Sequence, residues 1–304
     1  MSAADGLFTP PRPSNEPVSP FAPGDAAREE LIAELTRQSD EVIEIPCVVG
    51  GERIFTGNTI DVTMPCDHGH VLARAHMATP EVVQRAIDSA CEAQREWASM
   101  AWQDRAAVML RAAELLAGPW RAKMNASTML GQAKTCHQAE IDAACELIDF
   151  FRFNVSYLTQ ILGEQPPISG PGIWNRLDLR PLEGFVFAVT PFNFTSIAVN
   201  LPCAPVLMGN VALWKPSDTS LHSCWTGFQI LEEAGLPPGV INFLPGDGPL
   251  VGAPAMASPQ LAGLHFTGST GTFQHLWRTV GENLSNYRSY PRVVGETGGK
   301  DFIV

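Results

Sequence analysis

The stretch GFVFAVTPFNFT, residues 184–195, joins a short apolar run to an abrupt polar stop. The run closes at Thr190, and Asn193 then stands between two aromatic residues, directly after a proline. Four more runs follow that are short, apolar and closed by Gly, Pro or Thr: NVALWKP (210–216), VINFLPG (240–246), AGLHFTG (262–268) and PRVVGET (291–297). The segments between them are long enough for crossover helices. The alternation predicts an α/β fold with a parallel, doubly wound sheet and ligands beyond the carboxyl ends of its strands.

The composition limits the classes of partner. The chain has 304 residues, 45% of them hydrophobic, and 20 basic against 32 acidic residues give a net charge of −12. An acidic surface repels phosphate backbones, so we expect no nucleic-acid partner. No charged residue occurs from Gly184 to Trp214, as in a membrane span, but prolines and asparagines interrupt this stretch. We therefore predict buried strand, loop, helix and strand there, and no membrane partner.

The cysteines and the N-terminus suggest a compartment. Seven scattered cysteines, an odd number without a C-x-x-C pair, favour reduced thiols in the cytoplasm. The first residues show neither an apolar signal core nor an Arg-rich transit pattern, so a cytoplasmic location is expected. CDHGH (66–70) has no second ligand pair at a suitable spacing, so no metal site is predicted.

The chain divides into five segments by amino-acid composition and hydrophobic pattern. A Pro-rich extended arm is predicted over 1–27, a largely helical part over 28–164, a Pro/Gly-rich excursion or hairpin over 165–182, the sheet over 183–297 and a short last part over 298–304. Within the second part, IEIPCVVGGERIFTG (43–57) predicts a hairpin, and Thr79 followed by Pro80 predicts a helix start. Four acidic residues along a later helix are most simply a solvated face: Glu140, Asp142, Glu146 and Asp149.

Two polar residues at strand ends could carry chemistry. The Asn193 amide could donate to an oxyanion, although a turn-capping asparagine is the simpler alternative on residue type alone. In WKPSD (214–218), Lys215 could reach a ribose or a phosphate, and a snorkelling surface lysine is the alternative.

The last two strands carry further candidates. FTGSTGTF (266–273) places small residues before a helix start, where N–H groups could hold a pyrophosphate. It is not a G-x-G-x-x-G fingerprint, so a standard Rossmann dehydrogenase is disfavoured. In GETGGK (295–300), Glu296 would be a general base if partial desolvation raises its pKa.

The ordered set of motifs resembles the aldehyde dehydrogenase superfamily. PFNF, KPSD, FTGS and ETGGK follow one another at the family's intervals, and the resemblance covers nearly the whole chain. Finer features resemble the branch of 1-pyrroline-5-carboxylate (L-glutamate 5-semialdehyde) dehydrogenases, among them NEPV (15–18), IPCVVGG (45–51) and EGFVFAVTPFNFT (183–195). Phe192, where other branches usually have tryptophan, agrees with this branch.

The resemblance implies roles residue by residue. Asn193 would be the oxyanion donor and Glu296 the general base, with Glu146 and Phe194 near the aldehyde pocket. The cofactor would be NAD, contacted by residues at three strand ends: Thr190, Lys215, Ser217, Gly268, Ser269, Thr270, Gly271 and Thr272. Residues 183–297 would form the NAD-binding sheet and 165–182 an oligomerisation hairpin, which implies a homo-oligomer.

The resemblance also implies a reaction, and this sequence differs from the family's pattern in one residue that the reaction needs. The family oxidises an aldehyde, here L-glutamate 5-semialdehyde to L-glutamate in proline degradation, through a nucleophilic cysteine in a separate catalytic domain beyond E-x-G-G-K. No cysteine follows Glu296 here, so residues 298–304 would begin a truncated catalytic domain, and the chain is expected to be inactive alone. The alternatives are a non-catalytic NAD-binding or subunit-pairing fragment, or another aldehyde dehydrogenase branch.

Overall fold

The computed structural model describes residues 9–299 and 303. The predicted short last part therefore falls largely outside the described residues. The helices are α1 (Ala26–Asp40), α2 (Pro80–Ser99), α3 (Trp102–Ala117), α4 (Arg121–Gln132), α5 (Cys136–Ala139), α6 (Glu146–Gly163), α7 (Thr195–Leu207), α8 (Leu221–Glu233), α9 (Gly248–Ala257) and α10 (Thr270–Glu282). The strands are β1 (Ile43–Ile45), β2 (Cys47–Val49), β3 (Glu52–Ile54), β4 (Thr59–Met64), β5 (Asp67–His76), β6 (Phe185–Val189), β7 (Val211–Lys215), β8 (Ile241–Phe243), β9 (Leu261–Gly268) and β10 (Arg292–Thr297). A π-helical turn, Glu140–Cys145, joins α5 to α6.

The five predicted strands form the parallel part of one sheet. Its strand order is β10-β9-β6-β7-β8-β2-β3, and β6 to β10 pair only in parallel with one another. From β6 the chain moves outward through β7 and β8, then returns to the other side of β6 for β9 and β10. Because such crossovers are right-handed, the helices of the two halves lie on opposite faces. The order reverses between β6 and β9, which creates a crevice at their carboxyl ends.

The sheet is not wholly parallel, because the predicted N-terminal hairpin extends one edge. β2 pairs antiparallel with β3 and with β8. Gly50 and Gly51 turn the hairpin with φ of 60° and 83°, a conformation that glycine adopts without steric cost. A separate sheet of order β1-β5-β4 lies beside it.

Helix α2 begins where the sequence predicts. The Thr79 hydroxyl accepts a hydrogen bond from the Val82 N–H, and Pro80 occupies the first position of α2. The uncharged stretch forms β6, a loop, α7 and β7, all largely buried apart from the loop, so the predicted buried strand, helix and strand are confirmed. In the described part of the chain no helix is long and apolar enough to cross a membrane.

The part of the predicted extended arm that the structure describes, from residue 9 onward, is coil and leads into α1 at Ala26. It is fastened to the body, since the backbone N–H of Ser19 donates to Glu140 at 2.7 Å and that of Glu16 donates to Asp149 at 2.7 Å. The prediction of a solvated acidic face is therefore wrong. Glu140 is fully buried against Arg121, because a segment more than a hundred residues away in sequence covers this side of the helix.

Residues 165–182 form an exposed excursion with no strand assigned, so the predicted hairpin is not a β-hairpin. Its two arms are joined by side chains, since Gln165 accepts from the Leu177 N–H at 2.9 Å and donates to the Leu177 carbonyl at 3.4 Å. Prolines 166, 167 and 171 lack the N–H that a strand ladder requires, which accounts for the missing backbone pairing.

Candidate functional site

The strand register brings most of the predicted site residues into one row. Val189, next to Thr190, is paired with Lys215 on one side and with Phe266 on the other, and Glu296 is paired with Thr267. Because neighbouring strands lie about 4.8 Å apart, the three steps from Lys215 to Glu296 span roughly 15 Å. The row lies at the carboxyl edge and straddles the crevice between β6 and β9, so it offers an elongated ligand several contacts.

Lys215 is held at this edge by its own loop. The side chain is largely buried, and its Nζ lies 3.1 Å from a carboxylate oxygen of Asp218 in the turn that follows β7. The Thr190 hydroxyl accepts from the indole N–H of Trp214 at 3.0 Å, and the Thr190 N–H donates to the Lys215 carbonyl at 3.1 Å. Lys215 is therefore not a snorkelling surface lysine. Ser217 lies in the same turn, where its hydroxyl is 3.2 Å from that of Thr219.

The turn after β9 forms the N-terminus of α10. Ser269 is the N-cap, and its hydroxyl accepts from the Thr272 N–H at 3.2 Å. Thr270 and Gly271 in the first turn are exposed, and their N–H groups have no partner within the helix. Gly268 ends β9 and keeps the turn narrow, because an added Cβ would lie 2.8 Å from the Phe266 ring. The helix dipole and these N–H groups favour a negatively charged group.

Glu296 lies at the outer edge strand of the sheet. Its side chain is exposed, so the expected partial desolvation is not found among the described residues. The neighbouring Gly295 has a packing role instead, since a Cβ there would lie 2.2 Å from the ring of Phe273 on α10. The missing side chain lets that ring stack against Phe266 and cover β9 and β10.

Asn193 is exposed in the loop between β6 and α7 and borders a cavity of about 710 Å³. The same cavity is lined by Gln132 at the end of α4, by Lys134 after it and by Asp218, the partner of Lys215. Gln132 donates to the backbone carbonyl of Phe192 at 2.9 Å, which holds the loop. The amide thus borders open space, which suits a donor to a ligand better than a simple turn cap.

Glu146 and Phe194 both reach the start of α7. The Ser196 hydroxyl donates to a Glu146 carboxylate oxygen at 2.5 Å. Burial raises the pKa of Glu146 and this hydrogen bond opposes the rise. The Lys134 ammonium lies 4.3 Å from the centre of the Phe194 ring and pairs with Asp142 at 2.5 Å. Glu146 borders a different cavity, of about 560 Å³, on the outer side of α6.

Burial disfavours the thiolate form of three of the cysteines. Burial raises the pKa of Cys47 and Cys224 to about 12 and also raises that of Cys203. Cys66 is exposed in the turn between β4 and β5. Among the described residues, no three His, Cys, Asp or Glu side chains come together in a way that could hold a metal.

Some polar partners of the site are not among the residues predicted from the sequence. They are Ser196, Asp218 and Arg121, the partner of the buried Glu140. For Asp218 a signal was present, since it follows Lys215 within KPSD. Ser196 and Arg121 carry none, because their roles depend on helix packing.

The open parallel sheet, with its polar residues gathered at the reversal of strand order, defines the doubly wound α/β class of ligand-binding domains. The chain belongs to the aldehyde dehydrogenase family, whose model matches residues 55–304. It is 50% identical over 98% of its length to a delta-1-pyrroline-5-carboxylate dehydrogenase of Agaricus bisporus, and 48% identical over 95% to a mitochondrial delta-1-pyrroline-5-carboxylate dehydrogenase of Homo sapiens.

Solved structures agree with this fold. The crystal structure of the delta-pyrroline-5-carboxylate dehydrogenase of Mycobacterium tuberculosis bound with NAD superimposes with a TM-score of 0.96 at 55% identity, covering 98% of this chain and 56% of that one. A Thermus thermophilus 1-pyrroline-5-carboxylate dehydrogenase mutant gives a TM-score of 0.90 at 28% identity, covering 96% and 57%. The chain covers 54% of the fungal relative and 51% of the human one, so it spans about half their length.

Proposed function

We propose that this chain binds NAD along the carboxyl edge of its sheet. The observation that carries the proposal is the row of Lys215, Thr190, the 268–272 turn and Glu296, which the register of β7, β6, β9 and β10 assembles. A related structure at 55% identity is described as bound with NAD. The chain supplies what such a ligand needs: a cation at one strand end and a free helix N-terminus at another.

Each of these residues would contact or support a different part of NAD. The Lys215 ammonium, oriented by Asp218, would hold ribose hydroxyls, and Ser217 lies within the same turn. The first turn of α10, Ser269 to Thr272, would hold the pyrophosphate with its N–H groups. Thr190 would fix the crevice wall through Trp214. NAD, when bound, accepts a hydride from the substrate.

For the whole protein we propose oxidation of L-glutamate 5-semialdehyde to L-glutamate. The relatives' names support this substrate, and the Asn193 amide at the mouth of the 710 Å³ cavity supports acyl chemistry. Asn193 would donate to the oxyanion, and Glu296 would take a proton from the water that releases the acid. Glu146 and Phe194 would border the aldehyde.

A second candidate is a subunit-pairing role, alone or with NAD binding. Residues 165–182 expose large apolar side chains, with Ile168 80% and Trp174 81% exposed. An apolar surface of this kind marks an interface, and the occupant we propose is a second copy of the chain in a homo-oligomer. A cytoplasmic location stays a prediction, since several relatives are named mitochondrial.

The experiment that tests the proposal is titration calorimetry of the 304-residue chain with NAD. We expect saturable binding of one NAD per chain. No heat of binding at millimolar NAD would overturn the NAD proposal, and sedimentation of the chain as a monomer at high concentration would overturn the pairing candidate.

A further inference from the structure

The cavity beside Glu146 has two walls from distant parts of the chain. One wall is α6 with the turn before it, which contributes the Glu146 carboxylate and the ring of Phe153. The other wall is the arm, from which Asn15, Glu16 and Val18 line the same space of about 560 Å³. The cavity is therefore bounded by acidic groups and apolar side chains together.

The arm is fixed to this wall by charge-assisted hydrogen bonds. The Glu16 carboxylate bridges two guanidinium groups, those of Arg121 and Arg152, each at 2.6 Å. Arg121 also donates to the Pro17 carbonyl at 2.7 Å. The Asn15 amide donates to Asp149 at 2.7 Å. Hydrogen bonds that involve a charged group are about twice as strong as neutral ones, so these contacts hold the arm against α6 and α4.

The attachment points enclose the segment that carries Glu146. Glu140, which accepts from the arm at Ser19, lies six residues before Glu146 at the first position of the π-helical turn. Asp149, which accepts from Asn15 and Glu16, lies three residues after it. Single π-helical turns of this type are frequent at functional sites, and here both ends of the segment are tied to the arm.

We propose that Asn15–Ser19 form a positioning wall of the cavity beside Glu146, which holds Glu146 in place and limits the size of the group that can lie against it. A role of Glu146 near the aldehyde rests on the function proposed above, but the positioning of Glu146 by the arm does not.

The consequence for Glu146 can be measured. Burial raises the pKa of its carboxyl group, and the Ser196 hydrogen bond lowers it. Among the facing charges, Asp142 and Asp149 raise this pKa and Lys134 lowers it. Shortening the Asn15 or Val18 side chain that lines the cavity admits water, and hydration stabilises the carboxylate. The pKa of Glu146 should then fall toward that of an exposed glutamate.

The test is a titration of the Glu146 side-chain carboxyl by carbon-13 NMR in the 304-residue chain, assigned with Glu146→Gln. Val18→Ala and Asn15→Ala change no charge and lie at exposed positions, so both variants should fold, which thermal unfolding verifies. The matched control is Ile32→Ala on α1, since Ile32 is 46% exposed and Val18 is 45% exposed.

We expect Val18→Ala and Asn15→Ala to move the Glu146 midpoint to lower pH, and Ile32→Ala to leave it unchanged. An unchanged midpoint in both arm variants, or an equal change in the control, would overturn the proposal. NAD affinity is measured on the same variants. Lys215 and α10 do not line the cavity beside Glu146. Absence of NAD binding in all samples would therefore refute the proposed function but would not contradict the positioning of Glu146 by the arm.

Discussion

Replacing Glu140 tests whether the arm is bound to the body as described. Its carboxylate is fully buried and accepts from Arg121 at 2.5 Å, from Asn125 at 2.7 Å and from the Ser19 N–H at 2.7 Å. Glu140→Ala leaves the half-buried Arg121 guanidinium with one acidic partner fewer, and breaking a buried pair costs about 3–5 kcal/mol. Glu140→Gln keeps the shape and an acceptor oxygen, so we expect it to lose about 1–3 kcal/mol.

The assay is urea unfolding at several pH values, with Glu114→Gln as the control. Glu114 also pairs with Arg152, but its side chain is 72% exposed, so its loss should cost about 0–1 kcal/mol. Burial opposes the charge on Glu140, but Arg121, Ser19 and Asn125 outweigh it, so the pKa of Glu140 is lowered in the folded state. Its contribution to stability is therefore present above the unfolded pKa, about 4.3.

That contribution must disappear as the pH falls through the lowered pKa of the folded state. The difference in unfolding free energy between the natural chain and Glu140→Gln should accordingly be constant near neutrality and shrink below about pH 4. Equal losses for Glu140→Gln and Glu114→Gln, or a difference that does not change with pH, would refute the reasoning.

Four further predictions concern the sheet edge and the thiols. Lys215→Met should weaken NAD binding about 10- to 100-fold, measured by calorimetry, because it removes a charged hydrogen-bond donor; an unchanged affinity would contradict this. Ser269→Ala should cost about 1 kcal/mol in urea unfolding, since it removes the N-cap of α10. Gly295→Ala should cost about 1–3 kcal/mol by pushing Phe273 off β10, and unaltered unfolding would count against the packing described. With a thiol reagent at pH 8, Cys66 should react well before Cys203, because Cys66 is exposed and burial raises the pKa of Cys203. Mass spectrometry of the labelled peptides measures which cysteine reacts first.

The strands could be predicted from sequence because each is a short apolar run with a closing residue. All five predicted runs of the parallel sheet are strands, and Gly50-Gly51 turns the predicted hairpin. Their order in the sheet is not encoded locally, since β9 pairs with β6 across three intervening helices. The register that aligns Lys215 with Glu296 therefore needed the structure.

The errors have a common physical origin in long-range burial. The acidic run from Glu140 to Asp149 has the spacing of a solvated face, but the arm covers it. Conversely, Glu296 was expected to be partly desolvated and is exposed on an edge strand. Charge and spacing describe one segment at a time, whereas burial depends on which distant segment packs against it.

The account's central claim is that the 304-residue chain holds NAD at the carboxyl edge of its sheet. Calorimetric titration of the chain with NAD, repeated with Lys215→Met and with Lys123→Met as a control on α4, tests it most directly. We predict saturable binding with one site, weakened about tenfold or more only by the Lys215 change. Absence of binding at millimolar NAD, or equal weakening by both substitutions, would contradict the claim.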